Sequence, residues 1–141
     1  MTSGLGVSFA AAPAANISME KPTVGRRILV VDDNVDAAMS LSQLLELDGH
    51  ESQAVYGALE ALARVPDFRP DIVLLDIGLP QMNGYEVARR LRQLEGGSRL
   101  KLVALTGYGQ SEDRDRALAA GFDAHLAKPV DLTALERVLA R

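Results

Sequence analysis

Ile72-Val-Leu-Leu75 is a run of four apolar residues with no polar alternation. A strand with one wet face alternates, so an unbroken run of this length fits a strand covered on both faces, as in a parallel sheet between two layers of helices. The run stops at Asp76. An acid directly after four buried apolar residues is expected at the carboxyl end of the sheet, where open α/β folds place their ligands. Gly78, Pro80 and Asn83-Gly84 then break the chain into a loop before a new helix begins. Asp76 is therefore expected on a rigid strand end, beneath a mobile loop.

The same pattern recurs along the chain. Ile28-Leu-Val-Val31 stops at Asp32-Asp33-Asn34, and Asn34 is a suitable N-cap for a helix from Val35 to about Asp48, closed by Gly49. Glu51 to Tyr56 reads as a more polar edge strand. Leu59 to Val65 reads as a short helix ended before Pro66. Gly84 opens a helix through about Glu95, with Tyr85, Val87, Ala88 and Leu91 inward and Arg89, Arg90 and Arg92 solvated. A strand over Leu100 to Leu105 ends at Thr106-Gly107, and Ser111-Glu112 begin a charged helix that closes near Gly121. Ala124 to Ala127 is a last short strand before Lys128-Pro129, and Asp131 or Thr133 starts the final helix. His50, following Gly49 in a turn, is expected at the surface. Alternating strand and helix units call for a parallel sheet with helices on both faces and right-handed crossovers.

The chain has 141 residues, 48% of them hydrophobic, which is enough for one domain and one core. Residues 1–25 are rich in Ala, Ser and Gly and are expected to form a flexible tail, leaving residues 26–141 as the folded domain. The formal net charge is −4, which argues against non-specific nucleic-acid binding. The absence of cysteine excludes disulfides and thiolate chemistry and fits a cytoplasmic location. No stretch approaches the roughly 18–20 apolar residues that span a bilayer.

Residues that follow the core strands are Asp32 and Asp33, Asp76, Thr106 and Lys128. All are expected on one edge of the sheet. Two like charges about 4 Å apart cost roughly 4 kcal/mol at an effective dielectric of about 20, so three carboxylates there need a proton or a cation. Mg²⁺ suits such a site, with Mn²⁺ as a substitute. A carboxylate, a metal, an ammonium and a hydroxyl together suit a tetrahedral dianion, which points to phosphoryl transfer with Asp76 as the candidate nucleophile.

Four stretches then carry a resemblance: Ile28-Leu-Val-Val-Asp-Asp-Asn34, Leu74-Leu-Asp-Ile-Gly-Leu-Pro-Gln-Met-Asn-Gly-Tyr-Glu86, Ala104-Leu-Thr-Gly107 and Ala127-Lys-Pro-Val130. From about Arg26 to Arg141 the chain resembles the receiver domain of bacterial two-component response regulators, single-domain or of the hybrid-kinase type. The resemblance implies a flavodoxin-like, doubly wound, five-stranded parallel sheet in the order 2-1-3-4-5 with five helices. It implies that Asp76 accepts a phosphoryl group from a phosphohistidine of a sensor kinase or phosphotransfer protein. Mg²⁺ would be held by Asp33, Asp76 and the Gly78 carbonyl, with Asp32 acting through water. Thr106 would bind and follow the phosphoryl group, Lys128 would pair with it, and the Lys128-Pro129 bond would be cis. Where the family often carries Tyr or Phe as a ring that moves with the threonine, this chain has His125, a titratable group that would modify the readout.

Such a chain is expected to act as a switch rather than an enzyme, with slow autodephosphorylation. It would signal by altered binding to a downstream protein, as a monomer or a phosphorylation-dependent dimer, because the sequence ends after its fifth helix without an output domain. Two other readings compete. A phosphorylation-independent interaction module would lack site residues that are all present here. An aspartate-nucleophile phosphatase resembling the haloacid-dehalogenase family would carry Asp-x-Asp after its first strand, where this chain has Asp32-Asp33-Asn34, and would need a cap domain.

Overall fold

A computed structural model describes residues 25–107 and 114–140. The tail expected over residues 1–25 lies outside the described residues except for Gly25, and so does the Ser111-Glu112 helix start. Strands β1 (Arg27–Val31), β2 (Glu51–Val55), β3 (Ile72–Asp76), β4 (Lys101–Thr106) and β5 (Ala124–Ala127) form one sheet in the order β2-β1-β3-β4-β5. Every pairing is parallel, and Val31 lies opposite both Val55 and Leu75. The expected strand order is the observed one.

Alternate residues of each central strand enter different cores. Ile28, Val30, Ile72, Leu74, Val103 and Leu105 pack beneath α1 (Val35–Leu47) and α5 (Leu132–Ala140). Leu29, Val31, Val73, Leu75, Leu102 and Ala104 pack beneath α2 (Ala58–Phe68), α3 (Gly84–Gln93) and α4 (Arg114–Ala120). Neither face meets water, which is why the apolar runs do not alternate. Each fully buried Leu, Ile or Val contributes about 1.5–3 kcal/mol, so the strands are rigid supports for whatever stands at their ends. β2 alternates exposed and buried residues over Glu51-Ser-Gln53, as its place at the sheet edge requires. No helix among the described residues is long and apolar enough to cross a membrane.

Three expectations are corrected. α2 does not stop before Pro66 but runs through it to Phe68. The missing proline N–H costs one helical hydrogen bond near the end of the helix. Phe68 compensates by entering the core at 4% exposure, with the Arg27 guanidinium 4.3 Å from its ring centroid and donating to its carbonyl. His50 is not a surface residue. Its side chain is 12% exposed, and its Nδ1 accepts the Arg26 N–H at 3.0 Å.

The third correction concerns Arg92. Arg89 and Arg90 are exposed and pair with Glu86 at 3.1 and 3.0 Å, as a solvated face should. Arg92 is only 21% exposed and donates to the carbonyls of Gly97, Leu100 and Gly121 and to the Asp123 carboxylate. It ties the end of α3 and the 3-10 turn at Gly97–Arg99 to the turn before β5. α3 accordingly ends at Gln93, two residues before the expected Glu95. Replacing Arg92 with Ala leaves these carbonyls and the carboxylate short of a donor. A loss of about 2 kcal/mol, read as a lower urea midpoint, is the expected result.

Candidate functional site

The parallel register brings four strand ends together. Val31 faces Leu75, Asp76 faces Leu105 and Thr106 faces Ala127, so Asp32, Asp76, Thr106 and Lys128 follow one another across the carboxyl edge of β1, β3, β4 and β5. Asp32, Asp76 and Thr106 are buried, at 2%, 5% and 8% exposure, whereas Asp33 is exposed. One carboxylate oxygen from each of Asp32, Asp33 and Asp76 lies within 4.8 Å of the other two.

The two buried acids are held in the same way. Asp32 Oδ1 accepts the Asn34 N–H at 3.0 Å, and Asp76 Oδ1 accepts the Gly78 N–H at 2.8 Å. The remaining oxygen of each, Oδ2, receives Lys128 Nζ at 3.1 Å. Asn34 also caps α1 by accepting the Ala37 N–H at 3.1 Å, so the helix start and the acid fix each other. Burial pushes the Asp76 carboxyl above its ordinary 3.8, helped by the charge of Asp32 and opposed by the Gly78 N–H and by Lys128. For Lys128, burial pulls downwards, but hydrogen bonds and attraction from Asp76 and Asp32 prevail and hold it above its ordinary 10.5. One ammonium is thus retained firmly, yet it does not fully compensate two buried carboxylates.

Asp33 has no hydrogen bond or ion pair among the described residues. Three acids against one ammonium leave a formal charge of −2 on a rigid edge, with one carboxylate unpartnered and within 4.8 Å of its neighbours. This hard, all-oxygen donor set fits a divalent cation of the Mg²⁺ type. Thr106 Oγ1 lies 3.5 Å from the Leu126 carbonyl, a long contact that leaves the hydroxyl easily diverted. The Lys128 N–H donates to the Thr106 carbonyl at 2.8 Å, and the Lys128-Pro129 bond is cis as expected. His125 stands three residues before Lys128 on β5, opposite Ala104, and is exposed rather than gathered with the acids.

Gly84 adds something that the sequence reading missed. The loop after Asp76 folds back so that the Gly84 N–H bonds the Ile77 carbonyl at 3.0 Å. A Cβ at Gly84 would run into Ile77 Cα and press on the Asp76 carbonyl. Asn83-Gly84 reads in sequence as a helix start, and the cap is indeed there, with Asn83 accepting the Glu86 N–H at 3.0 Å. Nothing local announces the close approach. Gly84→Ala is expected to cost roughly 1–3 kcal/mol through overpacking. It should also slow phosphoryl incorporation by displacing the turn that holds Asp76, as urea unfolding and the initial rate of modification would report.

A model of the response regulator receiver domain matches residues 28–140. The chain belongs to the response regulator receiver family. It is 39% identical over 112 residues to an uncharacterised 14.6 kDa protein of Leptolyngbya boryana, covering 79% of this chain and 86% of that one. It is 38% identical over 133 residues to the virulence sensor protein BvgS of Bordetella bronchiseptica, covering 91% of this chain but only 11% of the sensor. Among solved structures it is similar to the receiver domain of a Pseudomonas aeruginosa sensor histidine kinase, with 33% identity, a TM-score of 0.74, and coverage of 84% of this chain and 97% of that one. That receiver has a magnesium ion coordinated in its active-site cleft. The chain is therefore a phosphorylation-dependent switch of two-component signalling, a signalling domain and not a classical enzyme.

Proposed function

We propose that Asp76 is the phosphoacceptor and that the donor is a phosphohistidine on a sensor kinase or phosphotransfer protein. A carboxylate oxygen of Asp76 forms a bond to phosphorus as the bond from phosphorus to the donor imidazole nitrogen breaks, and the imidazole leaves with the electron pair and takes up a proton. What carries this reading is the pair of buried carboxylates that share one ammonium beside an unpartnered third acid. Lys128 is already 3.1 Å from Asp76, so it can pair with the transferred group without refolding.

Asp33, Asp76 and the Gly78 carbonyl are assigned as ligands of Mg²⁺, or Mn²⁺ in its place, with Asp32 acting through water. When bound, the cation neutralises the charge that gathers on the phosphoryl oxygens. Thr106 would give up its long contact to Leu126 for a phosphoryl oxygen, and that movement, with His125 on the adjoining strand, is assigned as the readout. The modified chain would then favour one of two arrangements of the face built from α4, β5 and α5 and bind a downstream protein differently. Hydrolysis of the acyl phosphate would be slow autodephosphorylation.

Intact mass of the full chain after incubation with a small phosphodonor tests the reading. A gain of one phosphoryl group with Mg²⁺ and none in EDTA is expected. No gain by a folded chain would replace it with a phosphorylation-independent interaction module.

A further inference from the structure

The end of the sheet opposite the acids carries a second concentration of charge. A cleft of about 730 Å³ opens between Arg26, the Arg69-Pro70-Asp71 turn before β3 and the start of β4 at Arg99 to Lys101. An adjoining cleft of about 590 Å³ shares Arg69 and Arg99 with it and continues over Val65, Pro66 and Leu94. Four cations, Arg26, Arg69, Arg99 and Lys101, line the first cleft against one carboxylate, Asp71. Asp71 Oδ2 is already engaged by the Arg27 N–H at 2.9 Å. Glu95 is the acid of the adjoining cleft.

The Lys101 ammonium donates to the Val138 carbonyl. Among the described residues, no hydrogen bond, ion pair or ring contact engages the guanidinium groups of Arg26, Arg69 and Arg99. Six other arginines are used, whereas the exposed Arg137 of α5 has no such contact among the described residues. Arg27, Arg64, Arg89, Arg90 and Arg92 donate to side chains or carbonyls, and Arg116 lies over the Tyr85 ring. In a chain of net charge −4, three unpartnered guanidinium groups around one cleft repel one another without an answering acid.

Arg69 carries an independent sign. It is the one non-glycine residue of positive φ among those described, at 54°, where it caps α2. Backbone of that kind favours glycine, so the helix end alone does not account for an arginine. A residue held in a costly conformation at the mouth of a cleft is a mark of function. Guanidinium groups recognise oxyanions through paired hydrogen bonds, and an anion with several charges on a short chain can answer more than one of them. The volume lies within the roughly 300–1,000 Å³ range of small-molecule sites. We propose that this cleft binds an oligophosphate group, either free or carried by a nucleotide whose base would lie towards Val65 and Leu94.

Calorimetric titration of the full chain with inorganic tripolyphosphate and with ATP tests this, at low salt and in EDTA so that the acidic end holds no divalent ion. Saturation at one probe per chain is expected. Tighter binding of ATP than of tripolyphosphate assigns the nucleotide as the source, and equal binding assigns free oligophosphate. Arg69→Gly and Arg99→Gln should each weaken binding roughly tenfold. Arg69→Gly should melt no lower than the wild type, because glycine suits that backbone, so its loss of binding is not a loss of fold. Arg137→Gln removes an exposed arginine on α5 outside the cleft and should leave binding unchanged. The proposal is overturned by an absence of saturation with both probes at millimolar concentration. It is equally overturned by the same weakening in Arg137→Gln, or by binding of a polyglutamate peptide in place of either phosphate.

Discussion

Replacing Asp76 with asparagine is expected to take phosphoryl incorporation from one group per chain to none, and to raise thermal stability at pH 7 in the absence of Mg²⁺. Asparagine matches the size of the acid, and its carbonyl oxygen can keep the Gly78 N–H that Asp76 Oδ1 holds at 2.8 Å. Lys128 keeps Asp32 at 3.1 Å. What disappears is the proposed nucleophile and a buried charge. The stability effect follows from proton binding. Burial raises the Asp76 carboxyl above 3.8 in the folded chain, so the native state holds that proton more tightly than the unfolded one. Between the unfolded and folded values the native state binds more protons, and stability falls as pH rises through that window. The penalty of the wild type therefore grows as pH rises above 3.8, and the amide carries none. The advantage of Asp76→Asn should therefore shrink as pH falls through the window and vanish below about 3.8, as melting curves at neutral and acid pH would show. Wild-type incorporation by the asparagine variant would move the nucleophile to Asp32 or Asp33.

The sequence was most readable where the physics is local. A strand buried on both faces cannot alternate, so Ile28–Val31 and Ile72–Leu75 declare a parallel sheet, and in a parallel sheet the residue after every strand lies on the same edge. That one rule places Asp32, Asp76, Thr106 and Lys128 together without further information. Most of the misreadings involve partners that are distant in the chain. Arg92 shares a helix face with Ala88, four residues earlier and fully buried, a hint of its inward position. Two of its acceptors, however, lie on Gly121 and Asp123, 29 and 31 residues away. His50 is drawn partly inward because Arg26, 24 residues earlier, offers it an N–H. Pro66 is tolerated because Phe68 reaches both the core and Arg27, 41 residues earlier. Gly84 is needed because the loop doubles back on Ile77. Helical and strand periods report which face of an element is buried, not which remote atom awaits it.

Lys128→Met carries the largest expected change in stability, because it removes the one cation that both buried acids share. The carboxylates of Asp32 and Asp76 are 3% and 7% exposed, and each has one oxygen on the ammonium. Breaking a fully buried pair costs about 3–5 kcal/mol. Here 28% of the lysine side chain reaches solvent, and water screens part of the charge, so about 2–3 kcal/mol is expected at neutral pH from urea unfolding. The pH dependence has two limbs. Lys128 is held above 10.5 in the folded chain, so its contribution is complete below that value and is lost as pH rises through the folded one. On the acid side, protonation of Asp76 relieves the repulsion that the missing ammonium leaves behind, and the gap between variant and wild type should narrow again. Mg²⁺ should narrow it at pH 7 by supplying the charge that methionine cannot. Equal stability of the two proteins at pH 7 in EDTA would mean that Asp76 already holds a proton, so that the lysine neutralises a single charge. Phosphoryl transfer would then have to begin by expelling that proton, and its rate would rise with pH through the range in which Asp76 ionises.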